Sequence, residues 1–150
     1  MTLFDQISED IKAAMKARDK VRLETLRNIK KVFIEAKTAP GANDELDDAA
    51  ALKIIQKVAK KGRATARTYT ANSRQDLADE ELAQVAVMEE YLPKQLSPEE
   101  IEKAVKDIIA QTGATSMKDM GKVMGMAGKL LAGKADGKAI STIVKQLLRA

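Results

Sequence analysis

Residues 96–101, Leu96-Ser97-Pro98-Glu99-Glu100-Ile101, carry the clearest helix-start signal in this chain of 150 residues. Ser97 is suited to the N-cap, a proline occupies the first helical position, and a glutamate three residues after the cap completes a capping box. Apolar residues stand at both ends of the stretch, which is the arrangement of a hydrophobic staple. We therefore predict that a new helical subdomain begins at Ser97, so that the chain divides into residues 1–96 and 97–150.

Helical periodicity extends in both directions from this start. Upstream, apolar residues recur every three or four positions in four segments, and Pro93 disfavours continuation of the fourth. The third segment includes Gly62 on its apolar stripe, and Ser73 with Asp76 is placed to cap the fourth. Downstream, Gly113 is suited to end the helix that Ser97 begins, and two further helices follow. No segment has the alternating pattern of a strand, so we predict an all-α protein.

The composition limits the possible functions. Hydrophobic residues make up 45% of the chain and aromatic residues only 3%, which indicates a core of aliphatic side chains. The absence of cysteine and histidine removes the commonest general base and the usual transition-metal ligands. We therefore predict no catalytic residue, no metal and no cofactor. Without an apolar run of membrane-spanning length or a signal sequence, the chain is predicted to be cytoplasmic and to have no membrane partner.

Four Gly-Lys pairs lie between Gly121 and Lys138, with one acid, Asp136, among them. Glycine permits close backbone approach and lysine attracts phosphate, so two interpretations stay open. In the first, the glycines let neighbouring helices pack closely and the lysines keep the surface soluble. In the second, backbone N–H groups at the start of the last helix join Lys122, Lys134 and Lys138 in binding phosphates. The nucleotide-binding P-loop is disfavoured, because alanine replaces the Mg²⁺-binding residue and no strand precedes the pattern.

A second basic segment lies in the third helix. From Lys53 to Arg74 there are seven basic residues and no acid, and a stripe of five shares one spacing pattern: Lys53, Lys57, Lys60, Arg67 and Arg74. Acids of the next helix offer a purely structural explanation, whereas a ligand-binding face is the alternative. No aromatic residue follows Tyr91, so base stacking is not expected from the C-terminal part. Any nucleic acid bound there is expected to be a structured RNA recognised by its phosphates and shape.

Five strings of this sequence together resemble the YqeY family. They are Leu26-Arg27, Arg74-Gln75-Asp76-Leu77, Tyr91-Leu92-Pro93-Lys94-Gln95-Leu96-Ser97, Met120-Gly121-Lys122-Val123-Met124 and Gly133-Lys134-Ala135-Asp136-Gly137-Lys138. The family is similar to the C-terminal tail of the B subunit of the tRNA-dependent amidotransferase, and related domains are appended to some glutaminyl-tRNA synthetases. The resemblance implies a longer-helix N-terminal subdomain and a small three-helix C-terminal subdomain. It also implies contact with tRNA, or with an enzyme that processes aminoacyl-tRNA.

Two positions depart from the family pattern. Glycine at position 62 is expected to weaken the third helix by about 1 kcal/mol relative to alanine. Lys129 falls where proline is common in the family, so we leave it out of the predicted contact set. That set consists of Gly121, Lys122, Lys134, Gly137 and Lys138, with Arg63, Arg67 and Arg74 extending it if both subdomains face the same RNA.

The leading hypothesis is a non-catalytic module that binds tRNA or assists an enzyme acting on tRNA. The first alternative is a protein-interaction adaptor with an adaptable apolar surface formed by Met117, Met120, Met124 and Met126. The second, suggested by the family relation alone, is a carbon–nitrogen ligase that uses glutamine as its amide donor. The chain has neither a cysteine nucleophile nor an identifiable glutamine- or ATP-handling motif to support that activity.

Overall fold

A computed structural model describes residues 1–149. Within that range there are helices and turns but no strand, so the predicted all-α class is confirmed. The helices are α1 Leu3–Ala17, α2 Lys20–Lys37, α3 Asp48–Ala71, α4 Gln75–Glu89, α5 Pro98–Thr112, α6 Met120–Leu130 and α7 Gly137–Arg149. A single 3-10 turn, Met117–Asp119, leads into α6. The chain forms two compact units, Met1–Leu92 and the residues from Pro93 onward, and the predicted boundary lies four residues beyond this division.

Unit 1 contains α1 to α4 around an aliphatic core. The largest fully buried side chains include Ile7, Leu26, Ile29, Phe33 and Ile55. They follow the helical spacing of the sequence, because each helix turns its apolar stripe inward. Outside the core, the Tyr91 hydroxyl donates a 2.5 Å hydrogen bond to the Asp10 carboxylate, which ties the end of α4 to α1.

Gly62 lies on the face of α3 that packs against α4. Its position is buried, and a Cβ added there would lie 2.7 Å from Cγ2 of Val85. The expectation that glycine only weakens the helix is therefore incomplete, because the same missing methyl group makes room for α4. Helix propensity and packing act in opposite directions at this residue.

The start of α4 differs from the prediction. The N-cap is Arg74 and no side chain caps the helix, so the predicted Ser73 cap is wrong. Ser73 instead has a φ of 61°, in the left-handed region, and belongs to the turn between the two helices. Because α3 ends at Ala71, Arg74 also lies outside the predicted helical stripe. The turn at Ser73 interrupts the helical spacing between α3 and α4, so neither the Ser73 cap nor the place of Arg74 in the α3 stripe is observed.

Unit 2 contains α5, α6 and α7. The Ser97 hydroxyl accepts the Glu100 backbone N–H, and the Glu100 carboxylate accepts the Ser97 backbone N–H, so the predicted capping box is confirmed. Gly113 ends α5 in the left-handed conformation, as expected. The three helices enclose a second aliphatic core that includes Val105, Val123, Val144 and Leu148.

Candidate nucleic-acid interface

The net positive charge of the chain lies entirely in unit 2. Residues 1–92 contain sixteen basic and sixteen acidic side chains, whereas the residues from Pro93 onward contain ten basic and six acidic. The excess is concentrated in residues 120–149, where six cations accompany one acid: Lys122, Lys129, Lys134, Lys138, Lys145 and Arg149. All six are exposed, and none forms an ion pair with another residue in the described part of the chain.

Gly121 and Lys122 lie in the first turn of α6. The Lys122 side chain is exposed, and a Cβ added at Gly121 would meet no atom within 4 Å. Gly121 is therefore not required for packing against a neighbouring helix. The first interpretation, in which the glycines let neighbouring helices pack closely, does not apply at this position. It does not apply at Gly137 either, where an added Cβ would also meet no atom within 4 Å.

The turn between α6 and α7 is held by two hydrogen bonds from the segment before α5. The Leu96 N–H donates to the Lys134 carbonyl at 2.9 Å, and the Gln95 side-chain amide donates to the Gly133 carbonyl at 2.6 Å. Gly133 has a φ of 74°, a conformation that favours glycine. These bonds fix the backbone on either side of the Lys134 side chain, which stays exposed. These hydrogen bonds could not be predicted from residue spacing, because the partners lie 38 residues apart in the sequence.

The beginning of α7 is already occupied by an acid of the same chain. The Asp136 carboxylate accepts the Lys138 backbone N–H at 3.4 Å. An anion at this helix start would therefore lie beside a carboxylate, which opposes it. The predicted use of free backbone N–H groups near Asp136 is not supported by this geometry, so phosphate attraction here depends on the side chains of Lys134 and Lys138.

The predicted contact set does not form a single cluster. The bond from Leu96 to Lys134 places the turn, with Lys134, Gly137 and Lys138, at the end of unit 2 where α5 begins. Lys122 precedes Leu130, the last residue of α6, by eight residues, or about 12 Å of helix axis. Gly121 and Lys122 thus lie toward the opposite end of the unit.

The structure adds a row of cations that the sequence interpretation missed. On α7, Lys138, Thr142, Lys145 and Arg149 are all exposed, and their spacing of four, three and four residues keeps them on one face. The opposite face is buried through Ile140, Val144 and Leu148. The same helical spacing is present in the sequence, although Lys145 and Arg149 belong to no Gly-Lys pair.

The three arginines of unit 1 have different surroundings. Arg63 pairs with Glu89 at 3.0 Å, and Arg74 makes two hydrogen bonds to Asp76 at 3.1 and 3.2 Å. The hydrogen bond from Arg74 holds the pKa of the Asp76 carboxyl below its ordinary value. Arg67 is exposed and has no such partner within residues 1–149. Of the three, only Arg67 offers an uncompensated charge.

The remaining motifs have structural positions that do not require a ligand. Lys129 lies in the last turn of α6, and Ala135, the residue that breaks the P-loop pattern, is 7% exposed in the unit 2 core. Three of the four methionines proposed for an apolar surface, Met120, Met124 and Met126, pack against that same core. Met117 is the exposed member.

Comparison with known proteins identifies a family. A family model described as Yqey-like protein matches residues 4–148. The protein called altered inheritance of mitochondria protein 41, mitochondrial, from Vanderwaltozyma polyspora is 28% identical over 120 residues, covering 76% of this chain and 64% of that protein. The protein of the same name from Pyrenophora tritici-repentis is 27% identical over 152 positions, covering 99% of this chain and 82% of that protein. This chain therefore spans less than two thirds of the first relative's length.

Both relatives are named as mitochondrial proteins, so the cytoplasmic location of this chain stays a prediction. None of the helices in residues 1–149 combines the length and the hydropathy that a membrane span requires.

Proposed function

This chain belongs to the YqeY family, and from that premise we propose that it is a non-catalytic module that binds the phosphate backbone of tRNA or another structured RNA through unit 2. The observation that carries the proposal is the row of unpaired cations on α7 and in the turn before it. The contact set we propose is Lys134, Lys138, Lys145 and Arg149, with Lys122 as a separate contact toward the other end of the unit.

The charge pattern favours a polyanion over a protein partner. A surface that serves only for solubility normally mixes both signs of charge. Here six exposed cations accompany one acid, so their mutual repulsion is not balanced within the surface. The residues from Pro93 onward contain no aromatic side chain, which protein interfaces use as central anchors and single-strand binders use for stacking. Long, exposed lysines are instead suited to phosphates, whose positions depend on the shape of the folded RNA.

The α7 row also has the length that several phosphate contacts require. From Lys138 to Arg149 the helix rises about 16 Å, and Lys134 extends the row through the turn. The hydrogen bonds donated by the Gln95 side chain and the Leu96 backbone hold that turn in one conformation, so less ordering is needed on binding. We leave Arg63 and Arg74 outside the contact set because their charges are compensated within unit 1. An enzyme that processes aminoacyl-tRNA is the partner class that this role would serve.

The test is a salt series with matched charge variants. Binding of bulk tRNA is measured by fluorescence anisotropy from 50 to 300 mM salt for the parent protein and for the triple variant Lys134→Ala/Lys138→Ala/Lys145→Ala. The control triple variant, Lys94→Ala/Lys103→Ala/Lys106→Ala, removes the same charge from exposed positions of unit 2 before the 3-10 turn. Each lost phosphate contact should lower the slope of log K against log salt by about 0.7–0.9.

We expect the first variant to lose about 2–3 units of slope and the control to lose less than one. Equal effects of the two variants would mean that only net charge matters, and would refute the assigned surface. Salt-independent or undetectable binding by the parent protein would refute RNA binding itself. Glutamine-dependent amidation of a charged tRNA by the purified chain alone would instead support the ligase alternative.

A further inference from the structure

The exposed face of α3 in unit 1 carries charge of one sign. From Lys57 to the end of this helix, the exposed residues are Lys57, Lys60, Lys61, Ala64, Arg67, Thr68, Thr70 and Ala71. They include four cations and no acid, and the one acid of the helix, Asp48, lies in its first turn. Unit 1 is neutral as a whole, so its charges are unevenly distributed.

The acids of α4 do not compensate these cations. Gly62 faces α4, since a Cβ added there would meet Val85 of that helix. Lys57 and Ala64 lie about 140° and 160° around the helix axis from Gly62, so this face of α3 points away from α4. The side chains of Lys57, Lys61 and Arg67 form no ion pair with another residue in the range 1–149.

Two other lysines of α3 are left out of the argument. Lys53 lines a groove together with Glu45 and Asp47, so acids already lie close to it. Lys60 is exposed on the same face as Lys57 but already has an interaction partner. The uncompensated charge therefore belongs to Lys57, Lys61 and Arg67.

Ala64 lies at the centre of this basic face. On a helix surface the neighbours of a residue are those three and four positions away, which for Ala64 are Lys60, Lys61, Arg67 and Thr68. Lys57 follows one turn beyond Lys61. Because the side chain of alanine is a single methyl group, an anion can approach the helix at Ala64 while longer cationic side chains reach it from both sides.

The charges of this face repel each other in the free protein. Lys57 and Lys61 stand four residues apart, a spacing at which like charges destabilise a helix. Both side chains are exposed, so core packing does not require either of them. An anion bound over Ala64 would remove the repulsion.

The composition of the face indicates the class of anion. Helices that lie on membranes, and the centres of protein interfaces, use large apolar or aromatic side chains, whereas the uncharged exposed residues here are alanine and threonine. Without an exposed aromatic residue, the face cannot stack unpaired bases. Base-paired RNA keeps its bases inside the helix and presents phosphates outward, so it is the polyanion that fits.

We propose that the α3 face centred on Ala64 is a second RNA-binding surface, which contacts the phosphate backbone of a base-paired segment through Lys57, Lys61 and Arg67. The helix rises about 15 Å from Lys57 to Arg67, so several phosphates of a duplex fall within reach. This inference goes beyond the proposed function, whose contact residues all lie in unit 2.

Substitutions at Ala64 test the surface without removing a cation. Binding of an RNA duplex of about 16 base pairs is measured by fluorescence anisotropy in the Lys134→Ala/Lys138→Ala/Lys145→Ala background, so that the remaining affinity reports unit 1. That background should retain salt-dependent binding with a slope of about 2–3. Ala64→Glu should weaken it about tenfold or more, because the carboxylate repels phosphate and pairs with the surrounding cations.

Two control variants separate the position from the change itself. Ala64→Gln adds a side chain of similar size without charge, and Ala13→Glu adds the same charge at an exposed alanine of α1. Each should stay within about threefold of the background affinity, and circular dichroism confirms that all variants are folded. Absent binding in the background, or equal affinity with Ala64→Glu, overturns the α3 surface and leaves the unit 2 proposal standing. A parent protein unaffected by the three unit 2 substitutions refutes that proposal instead.

Lysine acetylation of the parent protein gives a readout that needs no variant. With N-hydroxysuccinimidyl acetate and mass spectrometry, the RNA duplex should slow modification of Lys57 and Lys61 about threefold or more. Lys12 and Lys31, which are exposed on helices that carry both signs of charge, should be unaffected. Equal protection of all four lysines overturns the proposal. So does protection of Lys57 and Lys61 by phosphatidylserine vesicles but not by the duplex, which would assign the face to a membrane surface.

Discussion

Replacement of Gly62 by alanine tests how closely α3 and α4 pack. Inside a helix, alanine is favoured over glycine by about 1 kcal/mol, so helix propensity alone predicts a more stable protein. The added Cβ would, however, lie 2.7 Å from Cγ2 of Val85, a side chain that is 3% exposed. Because carbon atoms pack best about 3.5–4.0 Å apart, the two helices must separate by about 1 Å or Val85 must change rotamer.

The packing effect should outweigh the propensity gain. Overpacking a well-filled core costs about 1–3 kcal/mol, and valine has few alternative rotamers because it is branched at Cβ. We expect Gly62→Ala to lower the free energy of unfolding of unit 1 by about 1 kcal/mol. In a Val85→Ala background the clash is absent, so the same substitution should raise that free energy by about 1 kcal/mol. The coupling energy of the cycle is then about 2 kcal/mol.

Urea unfolding followed by near-ultraviolet circular dichroism isolates the relevant unit. The chain has no tryptophan, and both tyrosines, Tyr69 and Tyr91, lie in unit 1, so the tyrosine signal reports that unit alone. Gly125→Ala is the matched reference: an exposed position within α6 with no atom near an added Cβ, expected to stabilise unit 2 by about 1 kcal/mol. Because unit 2 contains no tyrosine, this variant is followed by hydrogen exchange of the α6 amides. Stabilisation of unit 1 by Gly62→Ala in the parent background would refute the packing argument.

Three further predictions concern the hydrogen bonds at helix ends. Tyr91→Phe should destabilise unit 1 by about 1 kcal/mol at neutral pH, because the Asp10 carboxylate loses a donor. Burial, then the hydrogen bond to Asp10, raises the pKa of the Tyr91 phenol above its ordinary 10.0. The stabilisation of unit 1 by the protonated Tyr91 hydroxyl is therefore complete below pH 10 and declines as the pH rises. Urea titrations should show the free energies of unfolding of the parent and the variant converging in alkali. Ser97→Ala should destabilise unit 2 by about 1 kcal/mol, measured by hydrogen exchange of the α5 amides. The Ser97 backbone N–H lowers the pKa of Glu100 below its ordinary 4.5, so its contribution is present above that pH and lost in acid; Glu100→Gln should flatten the acid dependence of α5 exchange.

Local signals in the sequence were sufficient to predict much of the fold. The capping box at Ser97 and the C-terminal glycine at Gly113 were both predicted, because each depends on residues within one helical turn. The Ser73 cap was also predicted from residues within one helical turn, and that prediction is wrong. Its neighbourhood contains a cap-like pattern, but Ser73 has a left-handed backbone conformation and the N-cap of α4 is the next residue, Arg74. A pattern of residue types cannot distinguish a cap from a turn that resembles one.

The features that the sequence did not reveal all depend on contacts between distant residues. The role of Gly62 requires knowing that Val85 faces it, and the fixed turn at Gly133 requires knowing that Gln95 reaches it. The prediction that the contact residues form one cluster was wrong for a related reason. The five predicted contact residues were grouped because they are close in sequence, whereas helix α6 carries Lys122 away from Lys134 along its axis. Cations at helical spacing on α7 would have been the better guide, since they share a face by geometry alone.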